Sequence, residues 1–128
     1  RVAYKVTTKR KHSDAVAANL LNQNFNPMGQ DQIWAGDITY LKTAEGWVYL
    51  AIVMDLYSRR IIGWATDKHM TTDLISRATV MAYNLRQPPK GLVFHSDRGS
   101  QYTSKPYSKL LVNYGIRAVY GGCRGLLG

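Results

Sequence analysis

Three strand-like segments follow one another between residues 33 and 66 with only short turns between them, and this order constrains the fold more than any other feature. In the first segment, 33-IWAGDITYL-41, alternate residues share a face. A turn at 43-TAEG-46 leads into the apolar segment 47-WVYLAIVMD-55, and 59-RRIIGWAT-66 supplies the third strand. Strands joined by such short turns pair in opposite directions, so we predict an antiparallel meander.

The second half of the chain alternates helices with strands. One helix is predicted from a cap at Thr71 or Thr72 to the residues before 88-PP-89, and another from near Ser104, with Pro106 in its first turn, to Gly115. Strands at 91–95 and 116–120 follow the two helices. The predicted buried positions are Leu74, Ala78, Met81, Ala82 and Leu85 in the first helix, and Tyr107, Leu110, Leu111 and Tyr114 in the second.

Helical crossovers determine how the last two strands join the sheet. Connections of this kind imply that strands four and five run parallel to strand one, with right-handed crossovers. The predicted order is therefore β-β-β-α-β-α-β, without an internal repeat. The sequence predicts an α/β fold with a five-stranded mixed sheet, three antiparallel strands followed by two parallel ones, and flanking helices.

The balance of charge favours a polyanionic partner. Lys and Arg number 17 against 8 Asp and Glu, a formal net charge of +9, and clustered cations bind phosphate backbones through counterion release. A basic surface without such a partner explains the composition equally well. The single cysteine, Cys123, fits a reducing compartment, and no apolar run is long enough for a bilayer. We expect a cytoplasmic protein without a membrane partner or a small-molecule substrate.

Residues 1–30 differ from the rest of the chain, because basic residues cluster at 1–11 and an Asn-, Pro- and Gly-rich stretch follows. We predict a basic N-terminal arm or linker at 1–30, with a short helix over residues 14–21, and a single domain at 31–128. An arm docked on the domain and a partly disordered arm are both compatible with this composition.

Two aspartates are candidate metal ligands. Asp37 lies mid-strand with no Lys or Arg among residues 32–41 to pair with it, although pairing with a distant arginine remains an alternative. Asp97 follows the fourth strand, at the edge where open α/β sheets collect ligands. If the fourth strand lies beside the first, the two carboxylates can share Mg²⁺ or Mn²⁺, cations that prefer oxygen ligands.

Three stretches, 34-WAGDITYL-41, 46-GWVYLAIVMDLYSRRIIGW-64 and 94-FHSDRGSQYTS-104, resemble the catalytic core of bacterial insertion-sequence transposases of the DDE type. That core is integrase-like and has an RNase H-like fold. The resemblance implies that Asp37 and Asp97 are catalytic residues and ligands of paired Mg²⁺ or Mn²⁺ ions. It also implies DNA transposition, in which activated water cuts a phosphodiester at the element's end and the freed hydroxyl attacks target DNA.

The resemblance further implies DNA contacts and a homodimer. Residues near the start of the second helix are assigned to DNA binding: Arg98, Ser100, Gln101, Ser104 and Lys105. Helix capping explains Ser104 at least as well as DNA contact does. His95 is expected either to orient the site or to pack, and Tyr102 is expected to pack.

Two further sets of residues have structural interpretations. Asp55, Ser58 and Arg59 match a turn motif of the family. We interpret their role as structural, in a turn held by Asx and arginine hydrogen bonds. The three tryptophans, all within predicted strands, are expected to fill the core: Trp34, Trp47 and Trp64. Base stacking by any of them is the alternative.

The third carboxylate of the DDE type, a glutamate on a later helix, has no counterpart here. Residues 98–128 contain no acidic residue, and the one glutamate, Glu45, lies in the first predicted turn. We therefore expect a C-terminally truncated core that is inactive alone. The alternatives are a catalytically dead DNA-binding or dimerising remnant and, against the motifs, an RNase H-like nuclease that cleaves RNA–DNA hybrids.

The stretch 119-VYGGCRGLLG-128 departs abruptly from the family pattern, and we expect it to be read out of frame. Its codons can be chosen so that the +1 frame reads Ser-Met-Gly-Gly-Val-Gly-Ala-Cys-Trp-Asp, which is similar to the family's continuation. A trimmed end is the alternative. Sequencing the coding DNA through this region is the test: a +1 frame without these residues contradicts the frame shift.

Overall fold

The computed structural model describes residues 27–97 and 99–120. Its strands and helices are β1 (Ile33–Thr43), β2 (Gly46–Asp55), β3 (Arg60–Asp67), α1 (Thr72–Arg86), β4 (Val93–Ser96), α2 (Lys105–Tyr114) and β5 (Arg117–Tyr120). The predicted order of elements is confirmed, with bounds that differ by a residue or two. Neither helix in this part of the chain is long and apolar enough to cross a membrane.

Several predictions fall wholly or mostly outside the described residues. They concern the basic arm with its helix at 14–21, the side chain of Arg98, and the tail after Tyr120. The boundary near residue 30 between arm and domain stays a prediction.

The strands form one sheet in the order β3-β2-β1-β4-β5. β1 pairs antiparallel with β2, and β2 pairs antiparallel with β3. β4 lies parallel beside β1, and β5 lies parallel beside β4, because each is reached through a helical crossover. The predicted α/β class and mixed sheet are confirmed, and β4 is adjacent to β1, as a shared site for two aspartates requires.

Helix α1 begins and ends where the sequence predicts. The Thr71 side chain caps it by accepting a hydrogen bond from the Leu74 backbone N–H at 3.2 Å, and the chain leaves it at Gln87 in a left-handed conformation before the proline pair. Gly63 of β3 allows close packing, because a Cβ there would meet the Ala78 carbonyl and the Ala82 backbone. The helix therefore lies on the sheet face to which Gly63 points.

The buried side of α1 differs from the predicted stripe. Ile75 and Thr79 are buried with the central alanines, whereas Met81 and Leu85 are 42% and 66% exposed. The prediction was wrong for these two residues because apolar side chains occur around much of the helix. The glycine on β3, rather than the period of the helix, decides which side faces the sheet.

Helix α2 completes the layer on the same side. Ser104 caps it and Gly115 ends it at φ 74°, as predicted. Tyr107 and Leu111 are buried, and the other two predicted positions are partly buried. The Tyr107 hydroxyl shares a 2.7 Å hydrogen bond with the Thr79 hydroxyl of α1, so the buried polar atoms at the helix–helix contact are paired.

The three tryptophans do not all fill the core. Trp34 is fully buried, but Trp47 and Trp64 are each 50% exposed, so the prediction was wrong for these two. Trp64 follows Gly63, which faces α1, and therefore points to the opposite face of the sheet. Trp47 lies near the end of the β1–β2 hairpin. A strand pattern identifies alternate faces but not which face a helix will cover.

A buried ionic cluster joins the ends of three elements. The Asp55 carboxylate, fully buried at the end of β2, accepts hydrogen bonds from the Asp31 N–H at 3.0 Å and from the Ser58 hydroxyl at 2.7 Å. Arg86, from the end of α1, donates to Asp55 at 3.2 Å and to the Asp31 carboxylate at 3.0 Å. The predicted Asx turn is confirmed, but its arginine is Arg86 rather than Arg59.

Replacing Arg86 should destabilise the fold strongly. Arg86→Ala leaves the Asp55 carboxylate buried without its cation, a change that typically costs about 3 kcal/mol. Arg77→Ala is the matched control on the same helix, since Arg77 is 45% exposed where it pairs with Asp67 and Asp73; exposed pairs contribute roughly 0–1 kcal/mol. Urea denaturation of both variants measures the two losses. Equal losses would show that the buried cluster has no special role.

Candidate active site

The pairing of β1 with β4 brings the two candidate metal ligands to the same end of this strand pair. Ile33, Trp34 and Ala35 pair in parallel with Val93, Phe94 and His95. Asp37 lies two residues beyond Ala35, and Asp97 lies two residues beyond His95, directly after β4. Neighbouring strands lie about 4.8 Å apart, so side chains at the same level on the same face are adjacent.

Backbone amides orient both carboxylates. Asp37 Oδ1 accepts a hydrogen bond from the N–H of Ile38 at 3.0 Å, and Asp97 Oδ1 accepts one from the N–H of Gly99 at 2.7 Å. Asp97 is exposed and Asp37 is half-buried, so a solvated cation can reach both. The chain turns sharply after β4. A side chain at position 99 would have little space, because a Cβ on Gly99 would lie 3.0 Å from Asp97 Oδ1.

Aromatic rings form a wall behind the two carboxylates. A Cβ at Gly36 would overlap the Phe94 ring and approach the Tyr102 ring, so glycine is needed there for the rings to pack against β1. Tyr102 is 3% exposed, which confirms the expectation that it packs. Burial, the nearby Tyr107, and then the negative charges of Asp37 and Asp97 raise the pKa of Tyr102 well above its ordinary value.

His95 lies on the same strand as Asp97 and is 6% exposed. Burial lowers its pKa, and the negative charge of Asp97 opposes that shift. The lowered pKa favours a neutral imidazole beside the carboxylates, where it adds no positive charge to compete with a bound cation.

The residues assigned to DNA binding surround the start of α2. Ser100 and Lys105 are exposed, and the Gln101 side chain donates to the Met70 carbonyl at 3.4 Å. The Ser104 hydroxyl is engaged in capping, since it donates to the Gln101 carbonyl at 2.8 Å and accepts from the Tyr107 N–H at 3.4 Å. Contact with DNA by any of these residues stays a prediction.

The sequence analysis missed two features of the site. The first is the packing of aromatic rings against Gly36, which could have been detected because a glycine within a strand indicates a close approach by another group. The hydrogen bond between the Thr72 and Ser104 hydroxyls, at 3.2 Å, joins the first turns of α1 and α2. No local pattern indicates that contact, because the two residues are 32 positions apart.

The donor set suits a hard divalent cation. Within residues 27–97 and 99–120, no group of three or more His, Cys, Asp or Glu is placed to hold a metal ion. Two adjacent carboxylates nevertheless fit Mg²⁺ or Mn²⁺, since Mg²⁺ commonly binds through one or two carboxylates and keeps several waters. The chemistry of the residues therefore agrees with the cation implied by the resemblance.

The strand order, the parallel β1–β4 pairing and the helical crossovers define an RNase H-like fold of the integrase type. The catalytic core domain of HTLV-2 integrase in complex with magnesium (dimeric form) superposes with a TM-score of 0.67 and 22% identity, over 80% of this chain and 69% of that one. A simian T-cell lymphotropic virus intasome chain also gives a TM-score of 0.67, with 21% identity over 74% of this chain and 33% of that one. These likenesses confirm the predicted fold.

Family membership follows from sequence similarity. The integrase core domain matches residues 27–123, and the chain belongs to that family. It is 47% identical over 108 residues to the transposase InsF of insertion sequence IS3A from Escherichia coli, a match that spans 84% of this chain. A 31 kDa protein of insertion element IS600 from Shigella sonnei is 42% identical over 114 residues, or 89% of this chain. The resemblance to insertion-sequence transposases is confirmed.

The matched region is only part of each of these relatives. It spans 38% of the InsF transposase and 42% of the IS600 protein.

The buried phenols should make stability fall in strong base. Because the pKa of Tyr102 is raised in the folded state, the unfolded chain loses this proton first, near pH 10, and the free energy of unfolding declines above that pH. Tyr102→Phe should flatten this decline. Urea denaturation between about pH 8 and pH 11 measures it; an unchanged slope in Tyr102→Phe would contradict the assignment.

Proposed function

We propose that this chain forms the core of a DNA transposase that cleaves and joins DNA strands with the help of divalent metal ions. The observation that carries the proposal is the parallel pairing of β1, which contains Asp37, with β4, which Asp97 directly follows, in an integrase-type fold. Membership of the integrase core domain family and similarity to insertion-sequence transposases support it. The substrate is a phosphodiester of DNA, at the element's ends and in the target.

Asp37 and Asp97 would hold paired Mg²⁺ or Mn²⁺ ions between them. When bound, such ions supply charge neutralisation and an activated water for phosphodiester displacement. The Gly99 amide fixes the orientation of the Asp97 carboxylate, and the Ile38 amide fixes that of Asp37. The hydrophobic wall that contains Tyr102 excludes water from behind the site, so the carboxylates act from one side.

DNA contacts near the start of α2 are part of the proposal. Ser100 and Lys105 are exposed near the start of α2, and the first-turn amides of a helix favour phosphate. Arg98, Gln101 and Ser104 are included on the resemblance to the family. Such contacts hold the DNA backbone without reading its sequence. The net charge of +9 supports a polyanionic partner.

We also propose that the protein acts as a homodimer in the cytoplasm. The support for a dimer is the stated dimeric form of the HTLV-2 integrase core, and the support for the location is the bacterial origin of the InsF transposase relative. Recognition of particular element ends is outside the proposal, because none of the residues assigned here reads base edges.

This chain supplies two carboxylates and no third one after Asp97, since residues 98–128 lack Asp and Glu. We propose that metal binding persists and that strand cleavage by this chain alone is weak or absent. Mg²⁺ tolerates water at the coordination positions that the two carboxylates leave free. Positioning of the activated water, in contrast, depends on the complete set of ligands.

Metal binding is the direct test of the paired aspartates. Calorimetric titration should show that the protein binds Mn²⁺. Asp37→Asn and Asp97→Asn should each weaken the affinity by at least about tenfold, because even the loss of a group that hydrogen bonds to a metal ligand costs that much. Asp73→Asn is the control, because its carboxylate is 73% exposed and pairs with Arg77. Equal affinity in all four proteins would refute the proposed site.

A plasmid-nicking assay in Mn²⁺ separates the remaining possibilities. Nicking lost in Asp97→Asn would support an active enzyme, and salt-sensitive DNA binding without nicking would support a dead core. Cleavage confined to RNA–DNA hybrids would instead support a nuclease. The hybrid nuclease remains the least favoured alternative, because the InsF relative, 47% identical to this chain, is a transposase.

A further inference from the structure

Three aromatic rings stack in a row at the end of the β1–β2 hairpin. The Tyr40 ring stacks on Trp47 with centroids 4.8 Å apart, and on its other side it meets Tyr49 at 4.5 Å. The Lys42 ammonium lies 5.6 Å from the centre of the Trp47 ring. We call these four residues the aromatic platform.

The aromatic platform is both exposed and anchored. Tyr40 and Trp47 are 51% and 50% exposed, although apolar rings of this size are usually largely covered. Tyr49 is partly buried and packs against the main hydrophobic core, which fixes one end of the row. The rings are therefore held in place before any partner arrives, which reduces the entropy cost of binding.

Cross-strand pairing alone does not account for this surface. Tyr40 pairs with Tyr49, and Lys42 pairs with Trp47, so all four side chains share one face of the hairpin. Such pairs stabilise a hairpin by a few tenths of a kcal/mol to about 1 kcal/mol. That benefit requires contact between the rings, but it does not require their outer surfaces to remain open to solvent.

The aromatic platform lies close to the aligned aspartates along the strand. Tyr40 is three residues beyond Asp37, or about 10 Å at the rise of a strand, and points to the opposite face. β4 pairs only with Ile33–Ala35, so no strand among the described residues covers the edge of β1 beyond them. A nucleic acid strand held at Asp37 and Asp97 can therefore pass this open edge to reach the rings.

The chemistry of the aromatic platform suits unpaired bases. Exposed aromatic rings bind bases by stacking, independently of base identity, and a nearby cation neutralises phosphate. The chain as a whole carries +9, which favours a nucleic acid over an acidic or neutral protein partner. Residues 39–47 hold one lysine and one glutamate, so at this hairpin stacking rather than charge must provide the affinity.

We propose that the aromatic platform binds unpaired nucleotides of the DNA substrate by stacking a base on Trp47, the outermost ring of the row, since the Tyr40 ring lies between Trp47 and Tyr49. The proposal rests on the proposed function only in taking DNA as the partner, and it does not require metal at Asp37 and Asp97. Strand exchange at a DNA end separates bases from their partners, and the aromatic platform gives these bases a surface to stack on, three residues along β1 from Asp37 and on the opposite face of the sheet.

The test compares a fluorescein-labelled oligothymidylate with an oligonucleotide of the same length built from abasic sites, in EDTA. The protein should bind the oligothymidylate about tenfold more tightly, as stacking of one or two bases predicts. Trp47→Leu should remove this preference by the same factor at every salt concentration, whereas Trp47→Phe, which keeps a ring, should retain most of it. Circular dichroism and thermal midpoints verify that both variants fold.

Tyr57→Leu is the matched control, because Tyr57 is 53% exposed but lies in the turn between β2 and β3, at the opposite end of β2 from Trp47. It should leave the preference for bases unchanged. Fluorescence adds a signature that a structural role would not produce: in Trp64→Phe, oligothymidylate should quench Trp47, while the abasic oligonucleotide should not.

Three results would overturn the proposal. Equal affinity for the two oligonucleotides would mean that only phosphates are bound. Equal losses in Trp47→Leu and Tyr57→Leu would mean that the effect is not local. Dissociation of a dimer by Trp47→Leu in sedimentation experiments, with oligonucleotide binding unchanged, would assign the aromatic platform to self-association. Because divalent metal is absent throughout, failure here leaves the metal-binding test of Asp37 and Asp97 intact.

Discussion

The buried carboxylate of Asp55 is the interaction on which the arrangement of the sheet depends. A charge this deeply buried is tolerated only if it is paired and hydrogen bonded, and Asp55 obtains its cation from Arg86 at the end of α1. Because Arg86 also binds Asp31, the end of the crossover helix is fixed beside the start of β1. The chain that follows therefore enters β4 next to β1, which is the pairing that creates the candidate active site.

The two sides of the β1–β2 hairpin have different chemistry. The face that carries Asp37 offers carboxylates to a cation, whereas the face that carries Tyr40 and Trp47 offers rings to a flat partner. Both lie beyond the short segment of β1 that β4 covers. Because β1 is long and β4 is short, one edge of β1 has no neighbouring strand beyond Ala35 among the described residues. The proposed metal site and the aromatic platform both lie along this unpaired part of β1.

Much of the fold was predictable because its signals are local. Turn residues, capping residues and proline pairs mark the ends of elements, and every strand and helix lies within a residue or two of its predicted position in the described part of the chain. The orientation of α1 was not predictable, because several sides of that helix are apolar and Gly63 on another element selects among them. The exposure of Trp64 was missed for a related reason, since alternation does not reveal which face is covered, whereas Trp47 is exposed near the end of the hairpin although it shares a face with Tyr49.

The sequence by itself determined the order of the elements, the family, and the two aspartates proposed as ligands, since these follow from residue type and spacing along the chain. Only the tertiary structure decided the register of β1 against β4, the pairing of Asp55 with Arg86, and the stacking of Tyr40 on Trp47. The physical reason is the range of the interactions. Caps and periodicities act over a few residues, whereas register and ion pairing are fixed by packing between segments far apart in the chain, which no local pattern encodes.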